Sequence, residues 1–141
     1  MTAITLTAAQ ISAVDPIKAT IRNYIAKVAL TKGVPVFIDG TTGKIDIADG
    51  NGSGTKQFRG ITLDAGGIGA GIRVLEDGDV YGYDLSGLSY DAVVYISDTA
   101  GSLDTAAGTV TVIVGRVAPM SDQALTKVLR VQTQLSKADW A

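Results

Sequence analysis

The residues best equipped for chemistry in this chain of 141 residues are its carboxylates. Glu76, Asp77, Asp79 and Asp84 crowd one stretch and Asp46 and Asp49 another. Such groups hold calcium ions or, as a pair with one raised pKa, hydrolyse glycosides. Neither stretch has the spacing of a helical calcium loop, and Glu76-Asp-Gly-Asp79 is equally what a hairpin reversal needs. The Asp residues therefore read mainly as turn formers, with a lone calcium ion as the one metal option. Two glycine runs invite comparison with phosphate cradles. Gly66-Gly-Ile-Gly-Ala-Gly71 lacks the dinucleotide spacing and opens a strand, and Gly40-Thr-Thr-Gly-Lys44 is followed by Ile45 where a magnesium-binding hydroxyl belongs, so both read as turns. Tyr81 and Tyr83, two apart around Gly82, would share a sheet face and offer a stacking platform for a sugar or a base, or pack as ordinary strand residues. Asn51-Gly-Ser53 matches the glycosylation sequon and reads as a loop prone to deamidation.

The absences narrow the chemistry further. The chain has no histidine and no cysteine, so serine or cysteine nucleophiles paired with histidine, thiolate zinc sites, iron–sulfur clusters and disulfides cannot be built. No catalytic residue, metal ligand or cofactor is assigned, and the expectation is a protein that is not an enzyme. The balance of 12 basic and 14 acidic residues, net −2, supplies no basic stripe for phosphates, so neither nucleic acid nor membrane is an expected partner. The first ten residues lack the basic and apolar regions of a signal peptide and no apolar run is long enough to span a bilayer. The expectation is a soluble chain made in the cytoplasm.

The elements that must position these residues are strands. Fourteen Val, thirteen Ile, fifteen Thr and 17 Gly stand beside thirteen Asp and a single Glu, a balance that favours strands joined by tight turns over helices. Residues 1–16 read as an N-terminal arm or as a frayed end; Ile4-Thr-Leu-Thr7 alternates as an added strand would. Residues 17–30 fit two periods. Ile17, Ile21, Tyr24, Ile25 and Val28 form a helical stripe behind an Asp15 cap and Pro16, while Ile17, Ala19, Ile21 and Ile25 also fit period two and Val28-Ala-Leu30, Thr31-Lys-Gly33 and Val34–Ile38 read as strand, turn and strand. Beyond this, Val34–Asp39 and Lys44–Asp49 form a hairpin, a flexible loop at 50–54 leads to the strand Gln57–Asp64, and Ile72–Leu75 reverses at Glu76-Asp-Gly-Asp79 into Val80–Leu85. Ala92–Ser97, Val110–Val117 and Lys127–Val131 are further strands. Thr99–Gly108 is an excursion anchored by Leu103, and Ser121–Leu125 has the look of one helical turn. The expected fold is all-β, a compact sandwich or barrel-like domain of roughly eight to ten short strands with an extended N-terminal arm. Its parts are an arm (1–16), a β-rich domain (17–131) and a polar tail (132–141), where Trp140 reads as a cap on the core's edge or as an interface anchor.

The run Gln57-Phe-Arg-Gly-Ile-Thr-Leu, the segment Asp84-Leu-Ser-Gly-Leu-Ser-Tyr-Asp91 with Val94–Gly101, and Val114-Gly-Arg-Val117 with Leu125-Thr-Lys-Val-Leu129 together resemble the capsid decoration (cement) proteins of tailed bacteriophages. The resemblance covers residues 1–131 and rests on glycine-and-turn motifs, weak singly and more specific in their order. It implies a small β protein on the outer surface of the virion's capsid, clamping neighbouring subunits of the major capsid protein, commonly as a homotrimer. It gives Arg59, Gly60, Asp84, Leu85, Gly87, Leu88, Tyr90, Asp91, Gly115 and Arg116 as motif positions, and inclines residues 25–38 to strand, turn and strand. Pro35 departs from it and suggests an edge strand. With such a role, Ile4, Leu6, Ile11 and Val14 become side-chain anchors of an arm that adds a strand to a capsid sheet, so that deleting residues 2–14 leaves a folded oligomer unable to bind heads. A carbohydrate-binding or adhesive module using Tyr81 and Tyr83, and a small hydrolase using paired Asp residues, are the alternatives.

Overall fold

A chain rich in β-branched residues buries itself most readily as paired strands, and the computed structural model, which describes residues 3–14, 17–48, 58–109, 111–120 and 123–133, has that form. Among the described residues the strands are β1 (Ala3–Ile4), β2 (Ser12–Ala13), β3 (Thr20–Ile25), β4 (Pro35–Ile38), β5 (Ile45–Ile47), β6 (Phe58–Thr62), β7 (Gly71–Tyr81), β8 (Val93–Ile96), β9 (Leu103–Asp104), β10 (Ile113–Met120) and β11 (Gln123–Gln132). A 3-10 turn at Ala8–Gln10 stands between β1 and β2. The strands join in a single antiparallel sheet in the order β1-β9-β8-β10-β11-β7-β6-β4-β5, with β2 and β3 pairing β7 off that path, and the sheet curls into a half-barrel. The all-β, barrel-like class expected from the pattern is the class observed.

The spine of the sheet is β7. Its first half pairs β3 from Ile21↔Leu75 to Ile25↔Gly71, and β6 through Ile61↔Leu75 and Thr62↔Val74. Its second half pairs β2 through Ala13↔Val80, and β11 from Leu129↔Val80 to Gln132↔Asp77. The expected reversal at Glu76-Asp-Gly-Asp79 is therefore overturned: the run lies inside β7, held from both sides. The register against β3 slips between Thr20↔Asp77 and Ile21↔Leu75, which leaves Glu76 as an extra residue, and Gly78 takes a φ of 137°. A bulge of this kind inverts the in–out alternation. That is why Leu75 and Val80, of opposite parity, enter the same core, while Ile72 and Val74 enter a second one.

The larger core gathers Phe58, Ile61, Leu75, Val80, Leu85, Ile96, Leu103 and Leu129; the smaller one packs Ala26, Leu30, Val36 and Ile45 against the first half of β7. Three further expectations change. Of the two periods open for 17–30, the strand is taken at β3, behind a turn, and the helix is not, while the expected strand at 28–30 shrinks to a single bridge between Leu30 and Gly66. Pro35 does not mark an edge, because β4 lies between β5 and β6; as the first residue of its strand it tolerates the missing N–H. Gln123–Leu125 belong to β11, so no helical turn forms there. The hairpin between β4 and β5 is as expected, its turn held by Asp39, whose carboxylate accepts from the Thr42 N–H at 3.0 Å.

Candidate functional site

The N-terminal segment lies along the domain instead of projecting from it. Ala3 and Ile4 pair with Asp104 and Leu103, Leu6 bridges Tyr83, and Ser12 and Ala13 pair with Tyr81 and Val80. Ile4 is 8% exposed and Ile11 4%, both within the larger core, with Leu6 packed against it and Val14 half-buried. The role of Ile4 and Ile11 as free capsid anchors is thus corrected: an alternating segment pairs with any open sheet edge, and here the chain's own sheet takes it first.

The segment Tyr81–Asp91 crosses over this strap. Tyr81 is 38% exposed, while Tyr83 is buried and its hydroxyl donates to the Gly33 carbonyl. Burial pushes the Tyr83 hydroxyl far up from its ordinary pKa. The strand ends at Tyr81 and Gly82 follows with a φ of 120°; with Tyr83 buried, the pair does not present two exposed rings for stacking.

From Asp84 to Asp91 the chain makes a pair of tight turns. The Asp84 carboxylate accepts from the Ser86 hydroxyl at 2.7 Å and from its N–H, contacts that hold the Asp84 pKa below the ordinary carboxylate value. The Leu88 N–H donates to the Leu85 carbonyl at 3.0 Å, with Leu85 buried beneath. Asp91 is left-handed, φ 67°; its N–H donates to the Val117 carbonyl and its own carbonyl accepts from Arg116 Nη1 at 2.9 Å. Lys127 Nζ donates to the Leu88 carbonyl and stands 5.4 Å from the centroid of the Tyr90 ring. Two bases from β10 and β11 therefore brace this loop through its carbonyls, and Tyr90 is displayed on top, 42% exposed. An ammonium at that distance from a ring face is attracted to it, by about 0.5–1 kcal/mol at exposed sites.

The remaining motif positions divide by role. Gly60 and Gly115 are points of close backbone approach: a Cβ on Gly115 would lie 1.8 Å from the Arg130 carbonyl oxygen, and one on Gly60 would lie 2.3 Å from that of Leu75. Gly87 has open space around it, and Arg59 is an exposed side chain on β6. Trp140, Asp49 and the Asn51 sequon lie outside the described residues.

Around the braced loop the surface is a set of shallow troughs. One, about 580 Å³, lies between the N-terminal segment and the loop, over Ile4, Thr5, Asp84 and Gly87. A neighbour of about 420 Å³ is bounded by Tyr81, Leu85, Thr126 and Lys127. The carboxylates expected to cluster are separated and engaged: Glu76 meets Arg22 at 3.0 Å and accepts from Tyr24, Asp79 pairs with Arg130 at 2.9 Å, and Asp84 holds Ser86. No group of three or more potential metal ligands occurs among the described residues. Among the described residues, the carboxylates whose pKa is displaced, Asp39, Asp64 and Asp84, are displaced downward by hydrogen bonds to the charged form, opposite to what a general acid needs.

Sequence reasoning misses Lys127, although it stands inside the quoted run Leu125-Thr-Lys-Val-Leu129; its partner is a backbone carbonyl 39 positions away, which carries no side-chain signal. It misses the Arg22–Glu76–Tyr24 contact as well, for which the available clue is that Glu76 is the chain's sole glutamate. Compared with known proteins, the chain matches no family model, no curated protein and no solved structure.

Proposed function

We propose that the protein is a structural, non-catalytic virion component, a capsid decoration protein that binds the outer surface of an assembled phage head and clamps neighbouring major capsid subunits as a homotrimer. One observation carries the reading: the segment 84–91, central to the resemblance, is spent on surface. It is a braced loop with its backbone carbonyls held by Arg116 and Lys127 and an aromatic ring on display. Rigid aromatic side chains beside a cation are the usual anchors of protein interfaces, because little side-chain entropy is lost when they are covered. The docking surface is accordingly the loop face bearing Tyr90, Lys127 and Tyr81, in place of an arm built on Ile4 and Ile11.

The role needs contact area and no reactive group. A closed trimer presents the same face three times on one body, so three weak contacts act with an avidity far above one. The test is co-sedimentation of the purified protein with undecorated heads, in parallel with Tyr90→Ala. Saturable binding of the parent, weakened at least about tenfold in the variant with its melting temperature retained, supports the assignment. A parent protein that stays in the supernatant removes it.

A further inference from the structure

The N-terminal segment occupies its groove as a separable insert. Its attachment is a series of short contacts: two residues on β9, a bridge to Tyr83, two residues on β7, and backbone bonds from the Thr7 N–H to the Gly82 carbonyl (2.9 Å) and from the Asp84 N–H to the Thr5 carbonyl (2.9 Å). Between them Ile11 enters a socket that exists only because two of its walls are glycine. A Cβ on Gly82 would come to 2.7 Å from the Ile11 Cδ1, and one on Gly33 to 3.1 Å. The Tyr83 hydroxyl, bonded to the Gly33 carbonyl, ties those walls together.

The Val14 N–H still donates to the Asp79 carbonyl at 2.9 Å, and the next described contacts with the sheet are at Ala19, which lies against Gly78, and Thr20, which pairs with Asp77. Ahead of that point Ile17 is 96% exposed, the most exposed large apolar side chain among the described residues. An isoleucine so placed contributes nothing to a lone chain and would be covered where two copies meet.

We propose that this groove is filled in trans: residues 3–13 of one copy seat on β7 and β9 of a second copy, Ile11 entering the neighbour's glycine socket, so that the oligomer is built by exchange of the N-terminal segment. The occupant is fixed by the groove itself, which is shaped to this sequence and already accepts it. Every contact made within one chain is reproduced between two, so the exchange leaves the segment's own pairing energy unchanged, and the balance is decided by the connection around Ile17 and by protein concentration. The inference does not depend on capsid binding.

The absence of cysteine makes the test direct. Ser12 and Tyr81 are paired neighbours with exposed side chains, and directly opposed residues on antiparallel strands lie within disulfide reach, about 4.5–5.5 Å between Cα atoms. Full-length Ser12→Cys and Tyr81→Cys proteins are unfolded together, refolded as an equimolar mixture and oxidised, with each variant alone as control. Exchange yields a disulfide-linked dimer containing one chain of each kind, absent from either control, with the linkage between positions 12 and 81 identified by peptide mass. A mixture that stays monomeric under these conditions, or one whose dimers do not exceed the controls, overturns the proposal. The double variant Ser12→Cys/Tyr81→Cys, oxidised after the same refolding, provides a second readout: covalent chains of two or more support exchange, and a purely intrachain disulfide excludes it.

Discussion

At the scale of single residues, the ionisable groups predict a stability profile with two separate limbs. Asp39, Asp64 and Asp84 are held below the ordinary carboxylate range, first by the Thr42 hydroxyl, the Arg73 guanidinium and the Ser86 hydroxyl respectively. A folded pKa below the unfolded one contributes stability above about pH 4 and loses it as pH falls through the folded value. Tyr24 has the opposite sign: burial first, then the hydrogen bond to Glu76, pushes it up to about 12, so its contribution is complete below the unfolded value near 10 and is lost as pH rises toward 12. No histidine titrates between these limbs. The melting temperature should therefore be nearly flat from about pH 5 to 9 and fall on both sides. Tyr24→Phe should shallow the alkaline limb and leave the acid limb in place; an alkaline limb of unchanged steepness would locate its source elsewhere. The motif glycines give a matched pair at the same scale. Gly115 is paired to both Val131 and Val94, and its added Cβ would sit 1.8 Å from a backbone oxygen that cannot rotate away. Gly115→Ala should cost about 3 kcal/mol or more in denaturant unfolding, at the top of the range for overpacking, and Gly87→Ala less than about 0.5 kcal/mol.

At the scale of elements, β7 and β1 stand at opposite ends of a hierarchy. The middle of β7 is bonded on both sides and has fully buried side chains at Val74, Leu75 and Val80, whereas β1 is two residues long and pairs only β9. Amides of β7 should exchange with solvent only on global unfolding and those of β1 through local opening, at a rate faster by orders of magnitude. Uniform protection across both strands in exchange NMR would contradict this ordering. The same contrast explains what could be read from the sequence. The hairpin of β4 and β5, and strands β6 and β8, announce themselves by alternation and by Gly-Thr-Thr-Gly turn chemistry. Strands of two residues, such as β2 and β9, are too short to show a period, although Leu103 is recognisable as an anchor. Glu76-Asp-Gly-Asp79 misleads because Asp and Gly suit a bulge as well as a reversal, and partners on both sides of β7 decide between the two. Gln123–Leu125 mislead for a related reason: a short stretch without alternation is drawn into β11 by pairing with β10 across Met120↔Gln123.

At the scale of the whole molecule, the candidate site is legible in part. The positions 84–91 are marked by the resemblance, and they do form one surface unit. The N-terminal anchors are misread, because alternation says that a strand will pair and is silent about whose sheet it joins. This changes what truncation tests. Removing residues 2–14 deletes Ile4 and Ile11 from the core, and large-to-small changes at such positions cost about 2–5 kcal/mol each, so the deletion should unfold the domain instead of leaving a folded protein that no longer binds. Point changes on the loop face are the informative ones. On the proposed reading as a trimeric decoration protein, and if the docking surface on the shell is completed only when the shell expands during genome packaging, the three loop faces would engage together only on the expanded lattice. Each face alone would bind weakly, so the loss of simultaneous contact would cost far more than one contact's share. The protein should then bind expanded heads and ignore unexpanded ones, and bound protein should raise the temperature at which expanded heads rupture, since a ligand specific for the intact state stabilises it by mass action. Equal affinity for the two shells in side-by-side sedimentation would remove the dependence on expansion while leaving the loop face itself to be judged by Tyr90→Ala.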